Sequence, residues 1–353
     1  MIDFNEPVSI AHGGNLGEAV RRYGIARENW TDLSTGINPD GYPVPPIEPS
    51  AWLRLPDDDD DLEAVAARHY GSVRALAMAG TQAAIRMLPE VLPAGPIGIG
   101  LLTYGEYAPA FARAGFRVER FITEPFADRR DSASFVLEPG RSLPANLKHL
   151  VLVNPNNPGT EQFAPEVVMD WHRQLSARGG TLVVDEAFVE AIPGLSVASR
   201  SDSEGLIVLR SVGKFFGLAG ARAGFVLACP RVDRAMRQLR GPWTVSGPAR
   251  AAVRAALLDT AWQAQARERL TAASTRLVRL LGVYGLNALH TPFFAWVRDA
   301  RAEKWQDCLA RHGVWVRRFD VVAGLRFGLA ADESAWGHIE DALREARSEM
   351  DVR

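Results

Sequence analysis

From residue 62 onward, apolar positions follow two rhythms that take turns along the chain. Residues 62–70 (LEAVAARHY), 83–92 (AAIRMLPEVL), 106–115 (EYAPAFARAG) and 165–180 (PEVVMDWHRQLSARGG) carry helical spacing of apolar positions and predict helices. Between them, 97–102 (IGIGLL), 116–122 (FRVERFI), 149–154 (HLVLVN), 181–188 (TLVVDEAF), 206–211 (LIVLRS) and 224–228 (GFVLA) are short, β-rich runs and predict strands. Their alternation predicts an α/β domain, with a mostly parallel sheet and helices on both faces. After Gly247 the text is helical over 248–281, then gives FFAWVR, GVWVRRF, LRFGLA and a last helix, which predicts a smaller α+β domain. Residues 1–49 are rich in Gly, Pro and Asn, show little periodicity and read as an extended arm with loops. The predicted division is an arm at 1–49 packing with the small domain, a large domain at 50–246 and a small C-terminal domain at 247–353.

Composition narrows the partners. A length of 353 residues suits two domains, at roughly 100–200 residues each. The 47% hydrophobic and 23% charged fractions are those of a soluble globular protein, and no run approaches the about 20 apolar residues of a membrane helix. MIDFNEPVSIAHGGN has neither the basic start nor the apolar core of a signal peptide, so the cytoplasm is the expected location. With 40 basic and 42 acidic residues the net charge is −2, which offers no footprint for nucleic acid or an anionic membrane. An anionic ligand must be held by local arginines. Cys229 and Cys308 stand far apart without metal-ligand spacing and read as inert thiols. The acidic run Asp57–Asp61 reads as a Pro-initiated first helical turn rather than a metal site, because consecutive carboxylates point in different directions around the axis. No metal is expected.

The chemistry lies at the strand ends, where open α/β sheets collect their ligands. Asn157 follows one predicted strand, Asp185 ends another, Ser211 and Lys214 follow a third, and Arg222 precedes a fourth. Lys214 sits in SVGKFFGLAGARAG among small and aromatic residues, a setting that reads as buried. A desolvated lysine has a lowered pKa and becomes a nucleophilic amine able to form an imine with an aldehyde. Asp185 can keep the nitrogen of a pyridine ring protonated, making that ring an electron sink. Gly80, Thr81 and Gln82 open a helix, where backbone N–H groups bind anions, and Ser211 and Arg222 add a hydroxyl and a guanidinium for a phosphate. Taken singly these residues read equally well as a helix cap, a turn and a surface ion pair; together they form a constellation.

NPNNPG at 154–159, VVDEAF at 183–188 and SVGKFFGLAGARAG at 211–224 stand in the order and spacing of the fold-type I, aspartate-aminotransferase-like enzymes, which the whole chain resembles. The resemblance implies pyridoxal 5'-phosphate as cofactor, bound to Lys214 as an imine. It implies that Asp185 pairs with the ring nitrogen, Asn157 donates to the ring hydroxyl, and Tyr104 or its neighbour Tyr107 stacks on the ring. It also implies a homodimer. Three departures stand out: Phe188 replaces a tyrosine that donates to the ring hydroxyl, Leu55 replaces a tyrosine that reaches the neighbouring subunit's cofactor phosphate, and PGT replaces the commoner PTG after Asn157.

The arm narrows the branch. HGGN at 12–15 and DLSTGINPDG at 32–41 are similar to threonine-phosphate decarboxylases of cobalamin biosynthesis, which make aminopropanol phosphate from L-threonine O-3-phosphate. His12 with the amides of Gly13 and Gly14 can form a donor-rich turn for an anion, or simply a Gly-Gly turn, and Asn38 can close over a substrate. By the same resemblance Arg326 binds the substrate carboxylate and Arg317 the phosphate or carboxylate, with Arg318 the alternative because adjacent strand residues face opposite ways. Histidinol-phosphate aminotransferase, with the same cofactor residues and a phosphorylated substrate, is the rival reading; a non-catalytic cofactor-binding regulator is a distant one.

Overall fold

A computed structural model describes residues 13–351, so His12 lies outside the described residues. An eight-stranded sheet forms the large layer. Its order is Leu76–Met78, Gly224–Ala228, Leu206–Ser211, Thr181–Asp185, His149–Val153, Ile97–Gly100, Val118–Ile122 and Phe135–Val136. Every pairing is parallel except the two made by Gly224–Ala228. The central strands are buried throughout, which explains why they read as continuous apolar runs.

Strand alternation divides this sheet between two cores. Leu150, Leu152, Leu182, Val184 and Val208 face one, and Val151, Val153, Val183, Ile207 and Leu209 face the other. Asp185 and Ser211 therefore project on the second face, at the carboxyl edge of neighbouring strands whose register sets Asp185 beside Leu209. Glu186 and Arg210 project on the first. There Arg210 bonds both Glu186 and Glu190, and His69 lies 2.6 Å from Glu190, in a buried network that the apolar pattern gives no hint of.

A four-stranded antiparallel sheet, ordered Ala288–Thr291, Phe294–Arg298, Gly324–Phe327 and Arg317–Phe319, makes the second layer. The helix Thr260–Val283 packs on this sheet. The helix Gly247–Leu258, expected with the small domain, belongs by its contacts to the large one: Arg250 bonds Asp60 at 2.7 Å and Arg254 pairs with Asp61. Those aspartates also correct a second expectation. Residues 57–61 form turns ahead of the helix Leu62–Tyr70 rather than its first turn, and Asp58 faces Arg240 and Arg250.

The arm is more structured than its composition suggests. Leu16–Tyr23 is a helix, with Glu18 in its first turn, Arg21 and Arg22 in its last and a left-handed Gly24 closing it. Its Ala19 packs with Trp30, Ala310 and Trp315. Thr31–Asp32 then pairs in parallel with Val314–Trp315, which brings Ser34 to the edge of the cleft between the two large layers.

Candidate active site

At the carboxyl edge of the parallel strands two chambers meet. The inner one is lined by Gly80, Thr81, Asp185, Phe188, Ser211 and Arg222 among others. The outer one is lined by Gly13, Arg120, Arg317 and Arg326 among others. Tyr104, Asn157 and Lys214 line both and form the boundary.

Lys214 is an amine adjusted for chemistry. Burial, then the nearby charge of Arg326, lowers its pKa to about 8; Arg222 adds to this and Asp185 opposes it. Its Nζ stands 5.6 Å over the Phe188 ring. The loop that carries it is strapped from outside by the arm. Asn38 N–H donates to the Lys214 carbonyl at 3.0 Å, Asn38 Nδ2 to the Phe215 carbonyl at 2.9 Å, and Tyr42 N–H to the Phe216 carbonyl at 2.8 Å. Asn38 is thus a buried strut of the lysine loop, not a group that closes over a substrate, because its carboxamide is held by the Phe215 carbonyl and the Asp40 N–H.

Asp185 is fully buried, which raises its pKa, while a 2.6 Å hydrogen bond from the Tyr107 hydroxyl and one of 3.0 Å from the Ala187 N–H draw it back. Each carboxylate oxygen is therefore fixed by one donor and keeps a lone pair. Tyr107 is completely buried and holds Asp185, and the chamber is lined by Tyr104 rather than by Tyr107. Tyr104 lines the chamber, donates its hydroxyl to Gln82 Oε1 at 3.0 Å, and has its pKa pushed up to about 12 by burial and by the charge of Glu106. Gln82 also donates to Glu106, so its side chain positions Tyr104.

Opposite the lysine is a corner built for an anion. Gly80, with φ of +75°, begins the helix Thr81–Val91, whose first N–H groups open toward the chamber. A Cβ on Gly80 would lie 2.9 Å from an Arg222 guanidinium nitrogen, so glycine makes room for that arginine. Ser211 is register partner of Gly224, two residues past Arg222, and joins the same corner. Lysine, carboxylate and anion corner line one chamber, and those three kinds of group suit a ring that bears an aldehyde, a basic nitrogen and a phosphate.

Asn157 Oδ1 accepts a hydrogen bond from Arg326, whose other end donates to the Ser34 carbonyl. Burial and the like charge of Arg317 lower Arg326 to about 9. The Gly14 N–H donates to Ser34 Oγ at 2.7 Å, so this amide braces the arm instead of facing a ligand. Gly13 reaches the outer chamber and packs so tightly that a Cβ would lie 2.2 Å from the Ser34 carbonyl oxygen. Arg318 points away, to Glu303 at 2.8 Å and Asp320 at 2.9 Å.

Two contributors escaped the sequence reading. Arg120, on the strand Val118–Ile122, lines the outer chamber; the signal was a charge at the middle of an inward-facing Val-x-Arg-x-Ile alternation. Asn156 bonds Thr103 Oγ1, the Leu102 carbonyl and the buried Glu161, each at 2.8 Å, and so holds the loop that presents Tyr104. No local pattern could have announced that clasp, since its halves lie some fifty residues apart in the chain.

The family model described as aminotransferase class I and II matches residues 52–338. A threonine-phosphate decarboxylase of Pseudomonas aeruginosa is 44% identical over 95% of this chain and 97% of that protein. One from Sinorhizobium sp is 40% identical over 97% of this chain and 99% of its own. The structure of histidinol-phosphate aminotransferase from Sinorhizobium meliloti in complex with pyridoxal-5'-phosphate superposes with a TM-score of 0.76 at 19% identity, over 97% of this chain and 96% of that one, a likeness of fold. With this match across most of its length, and with lysine, aspartate and anion corner at the carboxyl edge of a mostly parallel sheet, the chain belongs to the aminotransferase class I and II family.

Proposed function

We propose that this chain is a pyridoxal-phosphate-dependent decarboxylase of L-threonine O-3-phosphate, yielding (R)-1-aminopropan-2-ol O-phosphate for cobalamin biosynthesis. The observation that carries the substrate class is the arginine-lined outer chamber opening directly onto Lys214. The reaction type rests on the 44% identity to a threonine-phosphate decarboxylase across nearly the full length of both chains.

When bound, pyridoxal phosphate supplies an aldehyde for the substrate amine and a ring that draws electrons from the breaking bond. The protein does the rest. Gly80, Thr81, Ser211 and Arg222 hold the cofactor phosphate, with Gln82 contributing from the first turn of the helix. Tyr104, which lines the chamber, would stack on the ring, where an aromatic adds about 0.5–1.5 kcal/mol beyond burial. Asp185 would hold a proton on the ring nitrogen, and Asn157 would donate to the ring oxygen, alone at that position because Phe188 has no hydroxyl. Lys214, its pKa lowered to about 8, would return a proton to the substrate's Cα in place of the departed carboxylate. Arg326 would take the substrate carboxylate and Arg317 its phosphate, with His12 and Gly13 completing the arm's side of the site.

Turnover of threonine phosphate without any oxo-acid acceptor tests this reading; dependence on an acceptor, with histidinol phosphate as the better substrate, would replace it by the aminotransferase one. We assign the enzyme to the cytoplasm, since its charged substrate and cofactor do not cross a bilayer unaided. We also read it as a homodimer. Support comes from an exposed apolar group of Trp52 (68% exposed), Leu53 (84%), Leu55 (66%) and Trp243 (54%), of a kind that monomers rarely leave to water.

A further inference from the structure

The outer chamber holds a third arginine that the family resemblance did not assign. Arg120 projects from the eight-stranded sheet, whereas Arg317 and Arg326 project from the four-stranded one, so the three line the chamber from opposite layers. Strand alternation sends Glu119 the other way, to Arg117 and Asn146. Arg120 donates one guanidinium N–H to the Leu101 carbonyl at 3.0 Å, which aims the group, and among the described residues no carboxylate pairs with it. Burial alone lowers its pKa, with no acidic neighbour to offset the cost. A half-buried guanidinium held at a chamber wall without a carboxylate partner is suited to an anionic ligand.

Charge balance and position indicate which anion. Threonine phosphate brings a carboxylate and a phosphate of −1.5 to about −2, close to three negative charges in all. Arg317 and Arg326 supply two positive charges, and Arg222 faces the cofactor corner. Arg120 lines the outer chamber and not the inner one that holds Asp185 and the anion corner, which sets it on the side away from the cofactor and the reacting carbon. The substrate group farthest from that carbon is the phosphate, joined through Cβ and an ester oxygen.

We propose that Arg120 is a substrate-binding residue that grips the phosphate from the large-domain side and thereby selects phosphorylated over unphosphorylated substrate. The inference rests on the decarboxylase reading, and the experiment separates the two. Parent, Arg120→Gln and Arg120→Lys holoenzymes are assayed with threonine phosphate, and binding of unphosphorylated threonine is followed by the cofactor absorbance. Inorganic phosphate binding is measured by calorimetry. Failure of the parent to release carbon dioxide sinks the decarboxylase reading; the remaining readouts address Arg120 whichever way that falls. For Arg120→Gln the expected result is a ten- to hundredfold rise in KM for threonine phosphate and an equal weakening of inorganic phosphate, with threonine binding unmoved. Arg120→Lys, which keeps the charge, should recover part of the loss. Equal losses for threonine and threonine phosphate, or phosphate binding unchanged in both variants, would overturn the proposal and leave Arg120 as a brace for the Leu101 loop.

Discussion

Arg317 and Arg326 are register partners on neighbouring antiparallel strands, so two guanidinium groups leave the small sheet side by side on one face. Directly opposed like charges destabilise a sheet, and here the strain is visible as an Arg326 pKa lowered to about 9 by burial and by Arg317. A substrate with two anionic groups relieves it. The same register answers the choice between Arg317 and Arg318, since Arg318 faces Leu325 across the ladder and reaches out to Glu303. Arg317→Gln should therefore raise KM for threonine phosphate ten- to hundredfold. Arg318→Gln, which breaks only pairs with exposed carboxylates, should change it less than twofold. Steady-state kinetics on both variants decides the matter; comparable losses would contradict the register argument.

Asp185 and Tyr107 form the second testable pair. Asp185→Asn keeps the shape but removes the charge opposite the ring nitrogen, and breaking such a buried pair costs about 3–5 kcal/mol, a hundredfold or more in rate. Tyr107→Phe removes only the hydroxyl that fixes one carboxylate oxygen, at about 1 kcal/mol or less than tenfold. Cofactor absorbance should survive in both, because the phosphate corner is untouched. Equal losses in the two variants would mean that orientation, not charge, is what Asp185 provides.

Lys214 gives a pH signature. Its amine attacks the cofactor aldehyde only when neutral, so capture of pyridoxal phosphate by the cofactor-free protein should speed up with rising pH and level off above about 8. An unperturbed lysine would keep accelerating beyond pH 10. Stopped-flow absorbance measures this directly, and borohydride should fix the cofactor to Lys214 in the parent and to nothing in Lys214→Ala.

The buried network behind the site should appear in acid. Burial pushes Glu190 up, but Arg210 and His69 outweigh it and hold its pKa at about 2, below the ordinary 4.5. A carboxylate depressed by folding stabilises the protein above its unfolded pKa, and that contribution fades as pH falls from about 4.5 to 2. At most it amounts to about 3 kcal/mol, and Glu186, whose pKa shifts upward through burial, offsets part of it. Glu190→Gln should be less stable than the parent at pH 7, with the gap closing toward pH 2. Denaturant unfolding across that range checks the trend; a gap that stays constant would exclude the linkage.

How much of this was legible depends on whether the information is local. The sheet was, because strands buried on both faces must be written as apolar runs, and Lys214, Asp185 and Arg222 were, because strand-end polar residues interrupt those runs. The arm's helix was missed because an eight-residue helix between glycines gains its stability from Trp30 and Trp315 rather than from its own text. Asn38 was misjudged for a related reason: nothing near it in the chain reveals that Phe215 is its partner. The Asn156 clasp joins distant segments, and only a folded chain exhibits it; Arg120 left a local trace, a charge inside a strand, but the chamber it faces is set by the fold.

The central claim is that one substrate suffices and that carbon dioxide leaves it. The holoenzyme should be mixed with L-threonine O-3-phosphate in the absence of any oxo acid, and carbon dioxide and aminopropanol phosphate counted against substrate consumed. The account predicts one of each per threonine phosphate over many turnovers, with the cofactor spectrum restored at the end. A single burst equal to the enzyme concentration, leaving the cofactor in its aminated form and releasing no carbon dioxide, would contradict it.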